Sequence, residues 1–330
     1  MHLESYYSLH IGRLKVTPTL SISHTEVDVK DRIVPSYVFI NPNISLKWSI
    51  NSSSLLSALY SFSNTLSSST QINTQPVLTS YNNLFFGDPA FKKFDNSFFL
   101  LSYQYNKLSK GTTLFTTFFH QNTPNPYLLD MEVKSNYIVS NFNGVASRSL
   151  TSGSINYDKY FKSISSNLKV IGGISYSSFF SSFNSIITEA KSSNSNLDIS
   201  LRTALNGFFN FHVGSVINLG TTSNSFLTAN SIIAQQYFDT YIRSRNTRLN
   251  IYIHCERYHL VSISNQPKFY FIDINVKYKF LDSRFTFFCK LRNLFDESIF
   301  ERFDVSNQNT FLTTNQLIPR YVLVGFSMRL

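Results

Sequence analysis

The sequence is short of the features that mark most soluble enzymes. It has two cysteines and one tryptophan in 330 residues. Two cysteines are too few for a disulfide framework or a zinc site. No stretch approaches the ~18 consecutive apolar residues of a membrane-crossing helix. There is no G-x-x-x-x-G-K-S/T, no G-x-G-x-x-G and no H-E-x-x-H, which removes the common nucleotide and zinc-protease signatures. The G-x-S-x-G elbow of serine hydrolases is missing too. Acidic residues are scarce, 19 against 29 Lys and Arg, giving a net charge of +10. The basic residues are scattered instead of striped along one face, so the charge does not indicate a nucleic-acid partner. A solvated interior and basic external loops explain it. The first residues, M-H-L-E-S-Y-Y-S-L-H, hold neither the basic region nor the apolar run of a secretory signal.

Aromatic residues are abundant, with 32 Phe and 19 Tyr. Interfacial girdles plus an apolar outer band consume aromatics in this way. Period-two alternation is the dominant pattern. Leu14, Val16, Pro18, Leu20 and Ile22 alternate with Lys15, Thr17, Thr19, Ser21 and Ser23. Tyr270, Ile272, Ile274, Val276, Tyr278 and Phe280 alternate with Phe271, Asp273, Asn275, Lys277 and Lys279. The segment from Tyr321 to Leu330 puts Val322, Val324, Phe326, Met328 and Leu330 on one face. Side chains alternate across a strand, so each segment is a strand with one apolar face. The pattern predicts an all-β fold, an antiparallel transmembrane β-barrel whose lipid and lumen faces alternate. The rival fold is a soluble extracellular β-rich binding protein, a sandwich that buries its apolar faces between two sheets.

Short breaks at Gly12-Arg13, Asn51-Ser52-Ser53, Ser109-Lys110-Gly111, Asn206-Gly207 and Asp282-Ser283 read as tight turns. Longer polar stretches at 65–93, 122–135, 184–192, 220–227 and 296–318 read as external loops and as the candidate ligand-binding regions. Short and long connections alternate, as in outer-membrane barrels. About fifteen strands result, with 136–161 counted as one long strand or two. An odd number cannot close on itself as an antiparallel barrel. A complete porin with 14 or 16 strands is a second reading and needs an even count. Residues 1–330 form a single barrel domain with no internal boundary.

Few residues point to chemistry. Cys255 and Cys289 continue apolar faces and read as small lipid-facing side chains on strands separated by one other, too far apart to bond. His212, His254, Arg202, Glu256 and Asp273 fall on polar faces, where they set a lumen field. No catalytic residue, metal ligand or cofactor is implied. Gly87-Asp88-Pro89 reads physically as a turn that re-enters the next strand at Phe94.

Three stretches carry a family resemblance. P-N-I-S-L-K-W-S-I, led by Pro42, resembles a Pro-led strand before a short turn. G-D-P-A-F-K-K, residues 87–93, resembles a stretch between a long loop and the next strand, with Asp88 and Lys93 replacing the usual Asn and Pro. L-R-N-L-F-D, with Asn293, Leu294 and Phe295, resembles the end of a penultimate strand. Together, and in this order, they resemble the barrel of TonB-dependent outer-membrane receptors of Gram-negative bacteria. The resemblance implies import of a scarce nutrient: an iron chelate, cobalamin, an oligosaccharide or a peptide. It implies outer-membrane lipid and an extracellular small ligand as partners. It also implies a plug domain that couples the barrel to an inner-membrane energising complex. Family barrels have about 22 strands. Fifteen strands without a leader or plug therefore set the expectation of an open, later part of such a barrel. Its first and last strands should lie at opposite edges of a curved sheet.

Overall fold

The computed structural model describes residues 2–26, 36–225, 228–244, 248–261, 268–280, 284–305 and 310–328. The chain starts with β1 (His2–Tyr6) and β2 (Leu9–Ile11), two pieces of one strand, then β3 (Leu14–Thr25), β4 (Tyr37–Asn51) and β5 (Ser54–Leu66). A single helical turn, α1 (Ser69–Ile72), precedes the short strands β6 (Val77–Ser80) and β7 (Asn83–Phe86). The long strands β8 (Lys93–Lys107) and β9 (Thr112–Thr123) follow, then the hairpin β10 (Tyr127–Val133) and β11 (Ile138–Val145). Next come β12 (Arg148–Phe161), β13 (Ser166–Phe183), β14 (Ile186–Thr203), β15 (Phe209–Ser223) and β16 (Thr228–Arg243). The last are β17 (Leu249–Val261), β18 (Lys268–Lys279), β19 (Phe285–Arg292), a second hairpin β20 (Ile299–Val305) and β21 (Thr310–Gln316), and β22 (Tyr321–Met328).

Fifteen of these positions form one antiparallel wall, if β1 and β2 count as one. Its order is β1/β2, β3, β4, β5, β8, β9, β12 through β19, then β22. Strands span from 8 residues in β19 to 18 in β13. About 9–11 tilted residues cross a bilayer. Most of the wall is therefore long enough to cross and to project beyond. Among the described residues, β1/β2 pairs on one side only, with β3, and β22 on one side only, with β19. These are the two edges of the sheet, as expected.

The two faces separate row by row. Phe209, Ile242, Ile251, Val276, Cys289 and Val324 stand opposite one another along consecutive strands. Three residues along, Arg202, His212, Asp239, His254, Asp273 and Arg292 form the matching row of the other face. Apolar side chains of the first face are widely exposed: Ile174 by 59%, Val322 by 58% and Phe326 by 66%. Polar side chains of the second are crowded, and Asp239 is only 7% exposed. That asymmetry is what curvature toward the polar face produces. Among the described residues only Phe39, Leu128, Ala190, Leu260 and Phe269 are buried apolar residues. A sandwich needs an apolar core between two sheets, and none exists among the described residues, so that reading falls. Ile272, Ile274 and Val276 face outward with the apolar rows.

Prolines sit where ladders break. Pro18 lies opposite the gap between β1 and β2, where Tyr7 N–H still reaches the Pro18 carbonyl at 3.1 Å. Pro42 ends the β4–β5 ladder, whose pairs begin at Asn43–Ser61. Lacking an N–H, it cannot donate to the ladder, and the Asn41 side chain accepts from Asn64 N–H at 2.8 Å instead.

Several connections differ from expectation. Asn206-Gly207 does not make a two-residue hairpin turn. The connection spans 204–208, and Asn210 braces it, its Oδ1 accepting from Leu205 N–H at 2.6 Å. The two-residue turn instead falls at Asn184-Ser185, both with positive φ, 49° and 64°. That reduces the expected loop 184–192 to its first two residues, because β14 begins at Ile186. The stretch 122–135 holds β10, and 136–161 divides into β11 and β12. Within 220–227, β15 runs to Ser223, and residues 226–227 lie outside the described residues. The stretch 296–318 holds the β20–β21 hairpin. Asp282-Ser283 and Leu330 lie outside the described residues.

Candidate functional site

The polar face carries a connected set of ionisable groups. Asp239 on β16 is its centre. Its Oδ1 accepts from Tyr252 Oη at 2.9 Å and contacts His254 Nδ1 at 2.6 Å, and its Oδ2 lies 3.4 Å from His212 Nδ1. His254 Nε2 lies 3.3 Å from Glu256 Oε2, and Gln235 donates to Glu256 Oε1. Tyr237 Oη meets His212 Nε2 at 3.3 Å. Further along, Arg292 donates to Asp273 Oδ2, and Asp273 Oδ1 accepts from Asn293 N–H at 2.9 Å. The register explains the assembly. Residues directly opposite in an antiparallel ladder lie within reach of one another, so one residue from each of six strands makes a continuous row. No group of three His, Cys, Asp or Glu among the described residues is arranged to hold a metal ion.

At the long-connection end, three segments of the chain knit together. β7 pairs in parallel with β11 through Asn83–Ile138 to Phe86–Asn141. β10 pairs in parallel with β13 at Asp130–Ser182 and Met131–Phe183. Asp130, 4% exposed, accepts from Ser185 N–H at 3.1 Å and Ser185 Oγ at 3.2 Å. Gly87-Asp88-Pro89 is the clasp of this extension. Gly87 N–H donates to Asn73 O at 2.7 Å and Asp88 N–H to Gln71 O at 2.8 Å. A Cβ on Gly87 would fall 2.5 Å from Gln71 O and 2.6 Å from Asn73 O, so only glycine fits. Burial alone pushes the Asp88 carboxyl up. The Lys92 ammonium at 2.7 Å and the Ala90 N–H outweigh it, holding the group below its usual range.

Tyr127 joins the clasp to the hairpin. Its hydroxyl meets Ser67 Oγ and Ala90 O, each at 2.9 Å. Its ring stacks on Phe142 at 4.2 Å, meets Phe94 edge-on at 4.9 Å and carries Lys92 Nζ at 4.8 Å. No spacing in the sequence singles out Tyr127 or Asp130 among so many aromatic and polar residues.

Asn293, Leu294 and Phe295 form the other clasp. Asn293 has φ of 53° and Asp296 of 61°. The Asn293 amide donates to Glu297 O at 2.7 Å and Ile318 O at 3.0 Å, while its Oδ1 accepts from Glu297 N–H at 3.0 Å. Leu294 N–H donates to Ile272 O at 3.0 Å, and Asp296 Oδ1 accepts from Arg320 N–H at 2.7 Å. The turn thus ends β19 and sets the start of β22. From it, the β20–β21 hairpin reaches the polar face, where Phe300 packs on Tyr258 at 5.1 Å and Phe269 at 4.9 Å. The structure therefore places Pro42, Gly87, Asp88, Pro89, Asn293, Leu294 and Phe295 at three separate ladder ends and turns, not in one cavity.

Comparison with known proteins gives remote likenesses. No protein-family model matches the chain, and no curated protein matches it. Among solved structures it is similar to the ferric-catecholate import receptor Fiu from E. coli K12 in its open form, at 9% identity and a TM-score of 0.43, covering 99% of this chain and 79% of that one. It is similar to the ferripyoverdine receptor of the Pseudomonas aeruginosa outer membrane, at 9% identity and a TM-score of 0.41, covering 98% and 69%. It is also similar to the beta domain of the Bordetella autotransporter BrkA, at 12% identity and a TM-score of 0.27, covering 84% and 97%.

Proposed function

We propose that this chain is the wall of an outer-membrane β-barrel that imports a scarce nutrient, in the manner of a TonB-dependent receptor. The observation that carries the membrane reading is the pair of alternating rows. Apolar side chains on the outward face are exposed, and ionisable side chains on the inward face are hydrogen-bonded to one another. In water that arrangement is inverted; in lipid it is the stable one. The three motif stretches carry the family reading. Two are backbone clasps at strand ends, and the third, at Pro42, lies where the β4–β5 ladder stops, the kind of position where the same residues serve any ligand. The ligand would be an iron chelate, cobalamin, an oligosaccharide or a peptide, bound by the external extension. Coupling would run through a plug to an inner-membrane complex.

Trp48, the sole tryptophan, tests the membrane reading. It stands on the outward face between Leu14 and Leu56, near the short turn that follows β4. In the protein refolded into vesicles, lipids spin-labelled near the headgroup should quench its fluorescence more strongly than lipids labelled at the chain end. Trp48 left unquenched by either would overturn the reading. For transport, growth of a host lacking its own receptors on each limiting nutrient should depend on the intact receptor that contains this wall. Growth on none of them would remove the import function.

A further inference from the structure

The inward face carries a second cluster of charge, on the short-turn side of the Asp239 set. A hollow of about 570 Å³ opens in it across β16 to β19. Two rows of the ladder line it. In one, Tyr241, Tyr252, Asn275 and Lys290 stand opposite one another along consecutive strands. In the next, nearer the short turns, Arg243, Asn250 and Lys277 do so. Arg292 lines the end away from those turns. All of these fall on the polar side of the alternation, with Asp239 and Asp273.

The cations are spaced by amides. Arg243 and Lys277 both stand opposite Asn250, and Lys290 stands opposite Asn275. Direct like-charge opposition, which destabilises a ladder, is thereby avoided. Four positive charges still gather round one hollow. Arg292 is neutralised, because it donates to Asp273 Oδ2. Among the described residues Arg243, Lys277 and Lys290 have no carboxylate partner, and Lys290 Nζ lies 5.7 Å from the Phe288 ring centroid. Asp239, two residues along β16 from Tyr241, is already engaged by Tyr252, His254 and His212. The Tyr252 hydroxyl is held by that carboxylate at 2.9 Å, and its ring lies 5.0 Å from the Tyr241 ring. The two rings make a fixed wall beside the cations.

We infer that this hollow is a binding site for a small oligoanion, a solute carrying two or more carboxylate or phosphate groups. The inference rests on the lumen reading above, and it places a station at the opposite end of the wall from the external extension. Three features select this occupant. The hollow has the size of a small-molecule site. Its three unneutralised cations match a solute with several negative charges, and a neutral sugar would leave them unmatched. Guanidinium, ammonium and amide N–H groups together suit the oxygens of carboxylate and phosphate. A concave wall of one charge sign also concentrates such solutes from the lumen.

The protein refolded in vesicles and transferred to an uncharged detergent can be titrated by calorimetry with tricarballylate, pyrophosphate, acetate and maltotriose at low salt. The wild type should bind tricarballylate, pyrophosphate or both roughly tenfold more tightly than acetate, and maltotriose not at all. Tricarballylate alone would assign a carboxylate ligand, and pyrophosphate alone a phosphate one. Lys277→Gln combined with Lys290→Gln should weaken binding about tenfold, equivalent to ~1.4 kcal/mol. Lys15→Gln combined with Lys47→Gln removes the same charge from the polar face of β3 and β4, outside the hollow, and should leave the affinity unchanged. Trp48 quenching in every variant reports insertion independently. Inserted wild type that binds neither oligoanion better than acetate would overturn the site alone. So would a Lys277/Lys290 variant that loses no more affinity than the Lys15/Lys47 variant. Wild type that does not insert would overturn the membrane reading and the site together.

Discussion

Single side chains decide whether the external extension holds its shape. Tyr127→Phe keeps the stack on Phe142 but loses the bonds to Ser67 and Ala90. It should cost about 1 kcal/mol. Gly87→Ala cannot keep the native clasp, because its Cβ meets two backbone carbonyls. It should cost about 1–3 kcal/mol. Protease cleavage within 65–93 should accelerate modestly in the first variant and strongly in the second; equal rates would contradict the clasp. Asp88 adds a pH dependence. Its folded pKa lies below the ordinary aspartate value. The stabilisation is therefore present above the ordinary aspartate pKa and is lost as pH falls through the lowered one. Hydrogen exchange at Gly87 and Asp88 should show a step in that acid range, and Asp88→Asn should abolish the step. At this scale the sequence was legible where backbone geometry dictates residue type, as at Gly87 and Pro42. It was opaque at Tyr127 and Asp130, whose partners come from distant segments.

Strands were the most legible elements, because a one-residue slip would reverse every side chain. Ile272, Ile274 and Val276 all face outward as the alternation requires. Cys255 and Cys289 are both free thiols on β17 and β19, with β18 between them. Replacing Ile274 with Arg should cost ~2–4 kcal/mol at the bilayer midplane, measured by urea unfolding from vesicles. No change in stability would argue against lipid contact. On the inward face, Asp239→Ala leaves His254, Tyr252 and His212 without their acceptor. It should cost about 1–3 kcal/mol, and an Ala variant as stable as wild type would show the cluster to be solvated. Connections were less legible. The Asn-Gly pair at 206–207 is overridden by Asn210, whose side chain mimics the missing turn bonds. The β10–β11 hairpin was not legible because it pairs with β7 and with the far end of β13, segments distant in sequence.

At the level of the whole molecule, the fifteen wall strands among the described residues agree with the count that alternation gives. An odd number runs the two edge strands in the same sense, which weighs against a self-closed antiparallel porin. Both edges leave backbone groups without sheet partners among the described residues. In lipid each such group costs several kcal/mol, and in water exposed edges promote association. The 330-residue chain on its own should therefore migrate without the heat-dependent shift of a closed barrel. Recovery of a protease-resistant, pore-forming monomer would promote the porin reading.

The parallel pairings of β7 with β11 and of β10 with β13 also impose an order in time. Neither pairing can form until the hairpins that carry these segments, β5 with β8, β9 with β12 and β13 with β14, have aligned. The knitted cap is thus the last part to assemble, since contacts of long loop closure form late. A refolding experiment followed residue by residue should see Trp48 reach its lipid environment well before the amides of Asn83 to Phe86 gain protection.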